Sequence, residues 1–293
     1  MPSFRNDFTK AARLLTPWEL RGNMFFKRED LFSPFGPGMP NGSKLRAADH
    51  IFSLRGNATQ ILTAASGLSP QHAIVAALAH LYGLPHTHIT AARLSKSYPS
   101  LQIAECLGAK FQYSKVGYQP ALNAAVNALH TQTPGSYILP YGLTVNNPEH
   151  YRDFYLANAP QTNNTPSHVR TLYVPAGSCN TLISVLIGLA ANPHNVRSVI
   201  SVGVGPDKLA WVTQRLNHMG FNPTKFPFRW NTDINLHEQG YASYTDKMPE
   251  HFEGIDFHPT YEGKIWRYLT KADVFRFDGT EGFWVVGGQL GAK

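Results

Sequence analysis

The chain has 293 residues, 43% hydrophobic and 15% charged, enough for one large or two medium α/β domains. Its balance is basic, with 26 Lys and Arg against 19 Asp and Glu and a formal charge of +7, but no dense Lys/Arg run occurs, so attraction to nucleic acid or anionic small molecules is permitted rather than demanded. Two cysteines, Cys106 and Cys179, do not suggest a disulfide framework; Met1 to Asp7 has no signal-type apolar region and no run approaches the ~18 residues of a membrane span, so the expectation is a cytoplasmic protein with no membrane partner.

In chain order, an apolar run, Met24 to Phe26, passes into Lys27-Arg28-Glu29-Asp30 and then a Gly/Pro-rich loop that delivers Asn41-Gly42-Ser43-Lys44-Leu45-Arg46 to the start of a helix. Gln60 to Ala65 reads as a buried strand, Gln71 to Tyr82 as an Ala-rich helix ending at Gly83-Leu84-Pro85, and Thr87 to Thr90 as a strand. Ser97 to Leu107 reads as a helix closed by Gly108, Phe111 to Ser114 as a strand, Pro120 to His130 as a helix and Tyr137 to Leu139 as a strand. Asn158 to Pro166, rich in Pro and Asn, reads as a surface loop or domain joint. Val169 to Val174 is a strand, Asn180 to Ala191 a helix and Val199 to Val204 a strand; Met219 to Met248 is weakly periodic and reads as irregular. Such alternation predicts parallel sheets covered by helices: a smaller α/β unit over 46–145, inserted into a larger one formed by 1–45 and 146–293.

Five segments carry possible chemistry. Lys44 stands at a loop-to-helix junction, where desolvation and the positive end of the helix both disfavour the ammonium form; a neutral amine can form a Schiff base with an aldehyde cofactor, although an isolated lysine is ordinarily a solvated surface group. Ala176-Gly177-Ser178-Cys179-Asn180-Thr181 joins a strand to a helix and presents backbone N–H groups as a phosphate cradle does, without the G-x-G-x-x-G fingerprint. Ser66-Gly67-Leu68-Ser69-Pro70-Gln71-His72-Ala73 also joins strand to helix; it suits an anion or a phenolic oxygen, or simple capping by Ser69 with Pro70 in the first turn. His258-Pro259-Thr260-Tyr261-Glu262-Gly263-Lys264 offers a carboxylate beside an aromatic hydroxyl, or a helix-start cap. Gly282 to Gln289 is an apolar strand ending in the diglycine Gly287-Gly288, suited to close backbone approach by a ligand.

Jointly and in this order, with Leu107-Gly108-Ala109-Lys110 between them, these segments resemble the fold-type-II pyridoxal-phosphate enzymes of the tryptophan synthase β superfamily, and most the 1-aminocyclopropane-1-carboxylate deaminase/D-cysteine desulfhydrase branch. The resemblance runs from about Thr16 to Gly288. It implies two parallel-sheet α/β domains with pyridoxal 5'-phosphate in the cleft between them. Lys44 would be the Schiff-base lysine and proton shuttle; Gly177, Ser178, Cys179, Asn180 and Thr181 would bind the phosphate. Gln71 falls where the family has an Asn beside the cofactor's 3'-oxygen, Glu262 would face the pyridine nitrogen, Tyr261 would sit near the substrate, and Gly287 and Gly288 under the far edge of the ring. Ser66, Ser69, Pro70 and His72 would lie on the substrate side. No metal is implied, and a homodimer is expected.

Two departures stand out. The phosphate loop has less glycine than the family's, with Cys179 and Asn180 in it. Pro70 replaces a serine of the deaminases; proline has no N–H, and the amides of that loop grip the substrate's α-carboxylate in this superfamily. Lys27 and Glu29 read as structuring the strand rather than doing chemistry. The first functional reading is a deaminase or lyase acting on a small free amino acid. The second, motivated by Pro70, the basic balance and the uncharged polar surface, is decarboxylation or elimination on an aminoacyl group attached to a nucleotide or DNA base. The third is a non-catalytic binding homologue.

Overall fold

The computed structural model describes residues 2–91, 98–243, 245–288 and 290, the side chains of residues 2–7 excepted. In chain order the elements are α1 (Pro2–Arg13), β1 (Trp18–Arg21), β2 (Met24–Arg28), α2 (Ser43–Ser53), β3 (Gln60–Ala64), α3 (Gln71–Leu81), β4 (His86–Ala91), α4 (Pro99–Cys106), β5 (Lys110–Ser114), α5 (Gln119–Thr131) and β6 (Ser136–Leu139). There follow α6 (Tyr151–Leu156), β7 (Thr171–Ala176), α7 (Asn180–Ala191), β8 (Ser198–Gly203), α8 (Leu209–His218), β9 (Arg229–Asn235), β10 (Glu250–Phe252), β11 (Ile255–Phe257), α9 (Glu262–Lys271) and β12 (Glu281–Val285). Ser97, placed in a helix by the sequence pattern, lies outside the described residues.

Two compact units result. The first comprises Met1–Leu14, Ser33–Val145 and Gly288–Lys293, the second Leu15–Phe32 and Asn146–Gly287. Residues 33–45, Lys44 among them, therefore belong to the unit that holds 46–145.

The first unit is built on a four-stranded sheet in the order β5-β4-β3-β6, every pair parallel. Strands β3 and β4 are buried over nearly their whole length, and α3 is an apolar Ala-rich helix with nine buried residues, as expected of a sheet covered on its faces.

The second unit has a six-stranded sheet in the order β1-β2-β12-β7-β8-β9, parallel except for the β1–β2 hairpin, with β10 and β11 forming a separate antiparallel pair. Strand β12 is inserted between β2 and β7 and all five of its residues are buried. One face carries an aromatic core of Phe26, Phe257, Trp266, Phe275 and Phe283, each buried; burying such a side chain contributes about 1.5–3 kcal/mol relative to exposure.

The charged motif that opens this unit is structural. Lys27 is fully buried and its Nζ donates to Thr16 O at 2.8 Å and Asn164 Oδ1 at 2.9 Å, while buried Glu29 accepts from Thr16 Oγ1. Arg28 forks onto Asp30 (2.9 and 2.7 Å) and also reaches Glu19 at 2.6 Å. Lys27, Arg28 and Glu29 are all buried and Asp30 is half-buried, so the whole charged run is held by its own partners.

Two expectations are corrected. Asn158–Pro166, read as a surface loop or domain joint, is only partly exposed: Ala159–Thr162 is a 3-10 turn, Asn158, Ala159, Gln161 and Thr162 are buried, and Pro160 and Asn163 face solvent. Gly188 of α7 makes room for it, since a Cβ there would stand 2.3 Å from Ala159 O. Gln161 Oε1 accepts from Thr16 N at 3.0 Å, so the first half of a segment whose composition reads as exposed is tied into the core. Within Met219–Met248, residues Arg229–Asn235 form β9, whose half-buried, half-exposed pattern is that of an edge strand and blurs the apolar alternation.

Candidate active site

Lys44 is the second residue of α2 and is half-buried. The helix is launched by Gly42, with φ +84° and ψ −177°, a conformation open essentially only to glycine. Asn41, just before it, accepts from Gly288 N at 2.6 Å. Gly288 has φ +92°, and a Cβ there would lie 3.4 Å from Pro70 Cγ. The first unit thus gathers three segments separated in sequence: the Lys44 loop, the turn at Pro70 and the second glycine of the pair.

The Ser66–Ala73 turn is closed on itself. Ser66 Oγ accepts from Leu68 N (3.3 Å), Ser66 O from Ser69 N (2.9 Å), Ser69 Oγ from Gln71 N (3.2 Å), and Ser100 Oγ from Ala73 N (3.1 Å). Pro70 has φ −66° and ψ −5°, so α3 begins one residue later than a Ser69-capped helix would, while Ser69 still bonds the amide such a cap would bond. Gln71 is wholly buried. Its Nε2 donates to Thr63 Oγ1 (2.8 Å) and Pro140 O (3.1 Å), and its Oε1 accepts from Gly142 N (2.8 Å). Carbonyl and N–H partners fix the orientation of the amide and commit it to holding residues 140–142 against the turn.

His72 is fully buried, its Nε2 3.1 Å from Ala65 O and its Nδ1 3.1 Å from His88 Nδ1. His88 in turn lies 3.0 Å from His86 Nδ1, and His86 Nε2 is 3.2 Å from Leu107 O. Burial pushes His72 down to about 4 and lowers His86 and His88 as well, so the rings are neutral at pH 7. Both nitrogens of His72 are engaged in the core of the unit.

The second unit holds the other cluster. The loop after β7 leads into α7 through Cys179, which adopts a left-handed conformation (φ +64°) that favours glycine; for another residue it costs about 1–2 kcal/mol. The less glycine-rich loop therefore keeps a glycine-type backbone. No side-chain hydrogen bond caps α7, whose opening amides have no intrahelical acceptors, so Ser178, Asn180 and Thr181 stand at an anion-ready helix start. Burial pushes the Cys179 thiol up to about 11, Lys208 and Asp207 adding opposed smaller effects; it is inert as a nucleophile at neutral pH. A Cβ on Gly177 would meet the Tyr261 ring at 3.2 Å, so this glycine lets Tyr261 pack on the loop.

Glu262 opens α9 immediately after Tyr261. It is fully buried, and its Oε1 accepts from Val286 N (2.9 Å) and Gly287 N (3.2 Å). Its Oε2 is buried with no hydrogen-bond partner. Burial raises this carboxyl to about 8, against the lowering effect of the backbone bonds and with a further push from Asp30. An orphaned carboxyl oxygen is costly and marks a place for a donor such as a ring N–H. Gly263 must be glycine, because a Cβ there would stand 2.0 Å from Met248 O. Within the second unit Gly287 N bonds Glu262, and within the first Gly288 N bonds Asn41.

Sequence reasoning missed Lys208, whose Nζ donates to Gly177 O at 3.1 Å, and the role of Asn41. The available signal for Lys208 was position: it follows the C-terminal end of β8, the strand next to β7, where loops of parallel sheets collect ligands. Among the described residues no cluster of three or more His, Cys, Asp or Glu could hold a metal ion, and no helix is long and apolar enough to cross a membrane.

No known family model matches the chain. Among characterised proteins, the O-seryl-dTMP PLP-dependent decarboxylase of Salmonella phage ViI is 26% identical, the match covering 94% of this chain and 81% of that protein. Similar solved structures include an ACC deaminase homologue (TM-score 0.73, 17% identity, 99% of this chain and 96% of that one). Others are the cysteine synthase of Entamoeba histolytica (0.62, 16%, 94% and 86%) and the O-acetylserine-dependent cystathionine β-synthase of Helicobacter pylori (0.60, 16%, 95% and 94%). At these identities the solved structures speak to the fold alone.

Proposed function

From the premise that this chain has the fold of the fold-type-II pyridoxal-phosphate enzymes, we propose that it is a pyridoxal-phosphate-dependent decarboxylase acting on an amino-acid group attached to a nucleotide. Glu262 Oε2 supports the cofactor: a buried carboxyl oxygen with no partner fits the ring nitrogen of pyridoxal phosphate. The match over most of the chain to the phage decarboxylase supports the substrate class.

The observation that carries the choice of reaction is the turn at Pro70. By resemblance this turn would hold the substrate's α-carboxylate. Here Pro70 has no N–H, and the amides of Leu68, Ser69, Gln71 and Ala73 are bonded to the turn's own oxygens and to Ser100. A carboxylate that leaves as neutral carbon dioxide loses its charge in the transition state, so a strong grip on it would stabilise the ground state and slow the reaction. A deaminase, which keeps its carboxylate, gains from that grip.

Bound pyridoxal phosphate supplies the electron sink for cleavage of the bond to the carboxylate. Lys44 would carry the cofactor, and its free amine would be the group that returns a proton to the α-carbon. Glu262 Oε2 would hold the proton at the ring nitrogen, and the amides of residues 178–181 would hold the phosphate. Tyr261, packed on Gly177, borders the substrate. The balance is one carboxylate lost as carbon dioxide and one proton gained at carbon, leaving a primary amine. The amino acid must hang from the nucleotide by its side chain, since both α-substituents react.

The test is incubation of the holoenzyme with a thymidine nucleotide bearing an O-linked seryl group, and separately with free L- and D-amino acids. The expected product is the corresponding amine with loss of carbon dioxide by mass spectrometry. Ammonia or keto-acid from free amino acids, with the nucleotide untouched, would overturn the reading in favour of a deaminase. A second expectation concerns the turn itself. Pro70→Gly restores an N–H at a position any residue can adopt, and should tighten binding of free α-amino acids by about 1–3 kcal/mol while slowing decarboxylation. Unchanged affinity, measured by spectral titration, would show the missing N–H to be irrelevant.

A further inference from the structure

The loop proposed to hold the cofactor's phosphate contains no cationic residue, Ala176 to Thr181 being neutral throughout. A phosphate there would meet only backbone dipoles and the start of α7. The neighbouring loop changes this. Ala176 and Gly203 are register partners at the C-terminal ends of β7 and β8, so the segments that follow run side by side. Lys208, which precedes α8, returns to the first loop and its Nζ donates to Gly177 O at 3.1 Å. It is half-buried and borders a small cavity of about 40 Å³, also lined by Ala176, Cys179, Asp207, Thr232 and Asn235.

Lys208 makes no ion pair with any described residue. Asp207 beside it is exposed, and its carboxylate accepts from Leu209 N at 3.0 Å, at the start of α8. The ammonium is thus fixed on a carbonyl of the loop proposed to hold the phosphate, with Asp207 and Glu238 nearby but no ion pair to either. A cation on the Gly177 carbonyl also polarises the peptide whose N–H belongs to Ser178, making that amide a stronger donor.

Resting on the cofactor reading above, we propose that Lys208 is the electrostatic partner of the cofactor phosphate and supplies the positive charge that loop 176–181 lacks. It is a positioning residue, acting through the Gly177–Ser178 peptide and by its charge. Its contribution is therefore specific to the phosphate and indifferent to the pyridoxal ring.

The experiment titrates full-length, cofactor-free protein with pyridoxal phosphate and, separately, with pyridoxal, reading the visible absorption of the lysine-bound aldehyde. Lys208→Gln keeps a donor for the Gly177 carbonyl and removes the charge; it should weaken pyridoxal phosphate about tenfold and leave pyridoxal unchanged. Lys208→Arg should restore most of the loss. Inorganic phosphate should protect the wild type against thermal unfolding more than it protects Lys208→Gln. Parallel weakening of both aldehydes would show a structural role, and unchanged affinities would show none; either overturns the proposal while leaving the cofactor reading intact. Failure of the wild type to bind pyridoxal phosphate would instead strike the cofactor reading itself.

Discussion

Replacing Lys44 with alanine should abolish the visible absorption expected when the wild-type protein is given pyridoxal phosphate, and lower turnover by roughly 10²–10⁴-fold or more. The expectation follows from the role proposed for this residue. A Schiff base needs a primary amine, and Gly42 sets the backbone that launches Lys44 from the first turn of α2. Alanine is the best helix former, so the helix itself is not weakened by propensity. Lys44→Arg is the informative companion: it keeps the charge and the donors but cannot form the covalent bond, and should be as colourless as the alanine variant. A visible band retained in either variant, with the thermal midpoint of the wild type, would place the covalent chemistry elsewhere and remove the ground for reading this chain as an enzyme of this class.

Glu262→Gln separates cofactor binding from catalysis. The amide keeps an oxygen for Val286 N and Gly287 N and removes the titratable proton. The variant should bind pyridoxal phosphate with its visible band and lose roughly 10²-fold or more in turnover, because an amide cannot share a proton with the ring nitrogen. The same residue predicts a pH dependence in the cofactor-free protein. Its carboxyl is raised to about 8 in the fold, with burial the leading cause. A raised carboxyl binds its proton more tightly folded than unfolded. Its stabilising contribution is therefore complete below the ordinary carboxylate range and is lost as pH rises through about 8, at roughly 1.4 kcal/mol per pH unit between about 5 and about 8. Denaturant midpoints of wild type minus Glu262→Gln should fall over that window, and pyridoxal phosphate should flatten the fall by giving Oε2 a donor. Parallel curves for the two proteins would mean that Glu262 is not the buried acid described.

Much of this was legible in the sequence where local chemistry and tertiary structure agree. The helix at Asn180–Ala191 is found at those residues because small residues precede it and every face of it is apolar. Lys44, Tyr261 and Glu262 were recognisable because their neighbours, glycines above all, are demanded by backbone conformations or close approaches that the fold displays. What was not legible depends on partners far away in the chain. Lys208 carries no motif and becomes significant only because Gly203 is in register with Ala176. Ala159 and Thr162 sit in a segment whose prolines and asparagines suggest exposure, and composition does not reveal that α7 has a glycine opposite them. Strand β9 lies at a sheet edge, where half-exposure erases alternation. For the reaction, Pro70 in the sequence shows one missing donor, but the closing of the turn by Ser66, Ser69 and Ser100 is a property of the fold.

The buried histidines of the first unit have a consequence in proton arithmetic. The carbonyls of Ala65 and Leu107 can only accept, so the outer rings, His72 and His86, must turn their N–H groups outward and present bare nitrogens to His88. A neutral His88 owns one N–H and faces two acceptors, at 3.1 Å and 3.0 Å. Three protons serve four gaps. The row therefore has two wirings with the same number of hydrogen bonds, differing only in which nitrogen of His88 holds the proton, and in each of them one gap sets lone pair against lone pair. The core joining β3, α3 and β4 to the residue after α4 is thus a two-state element whose only moving part is a single hydrogen.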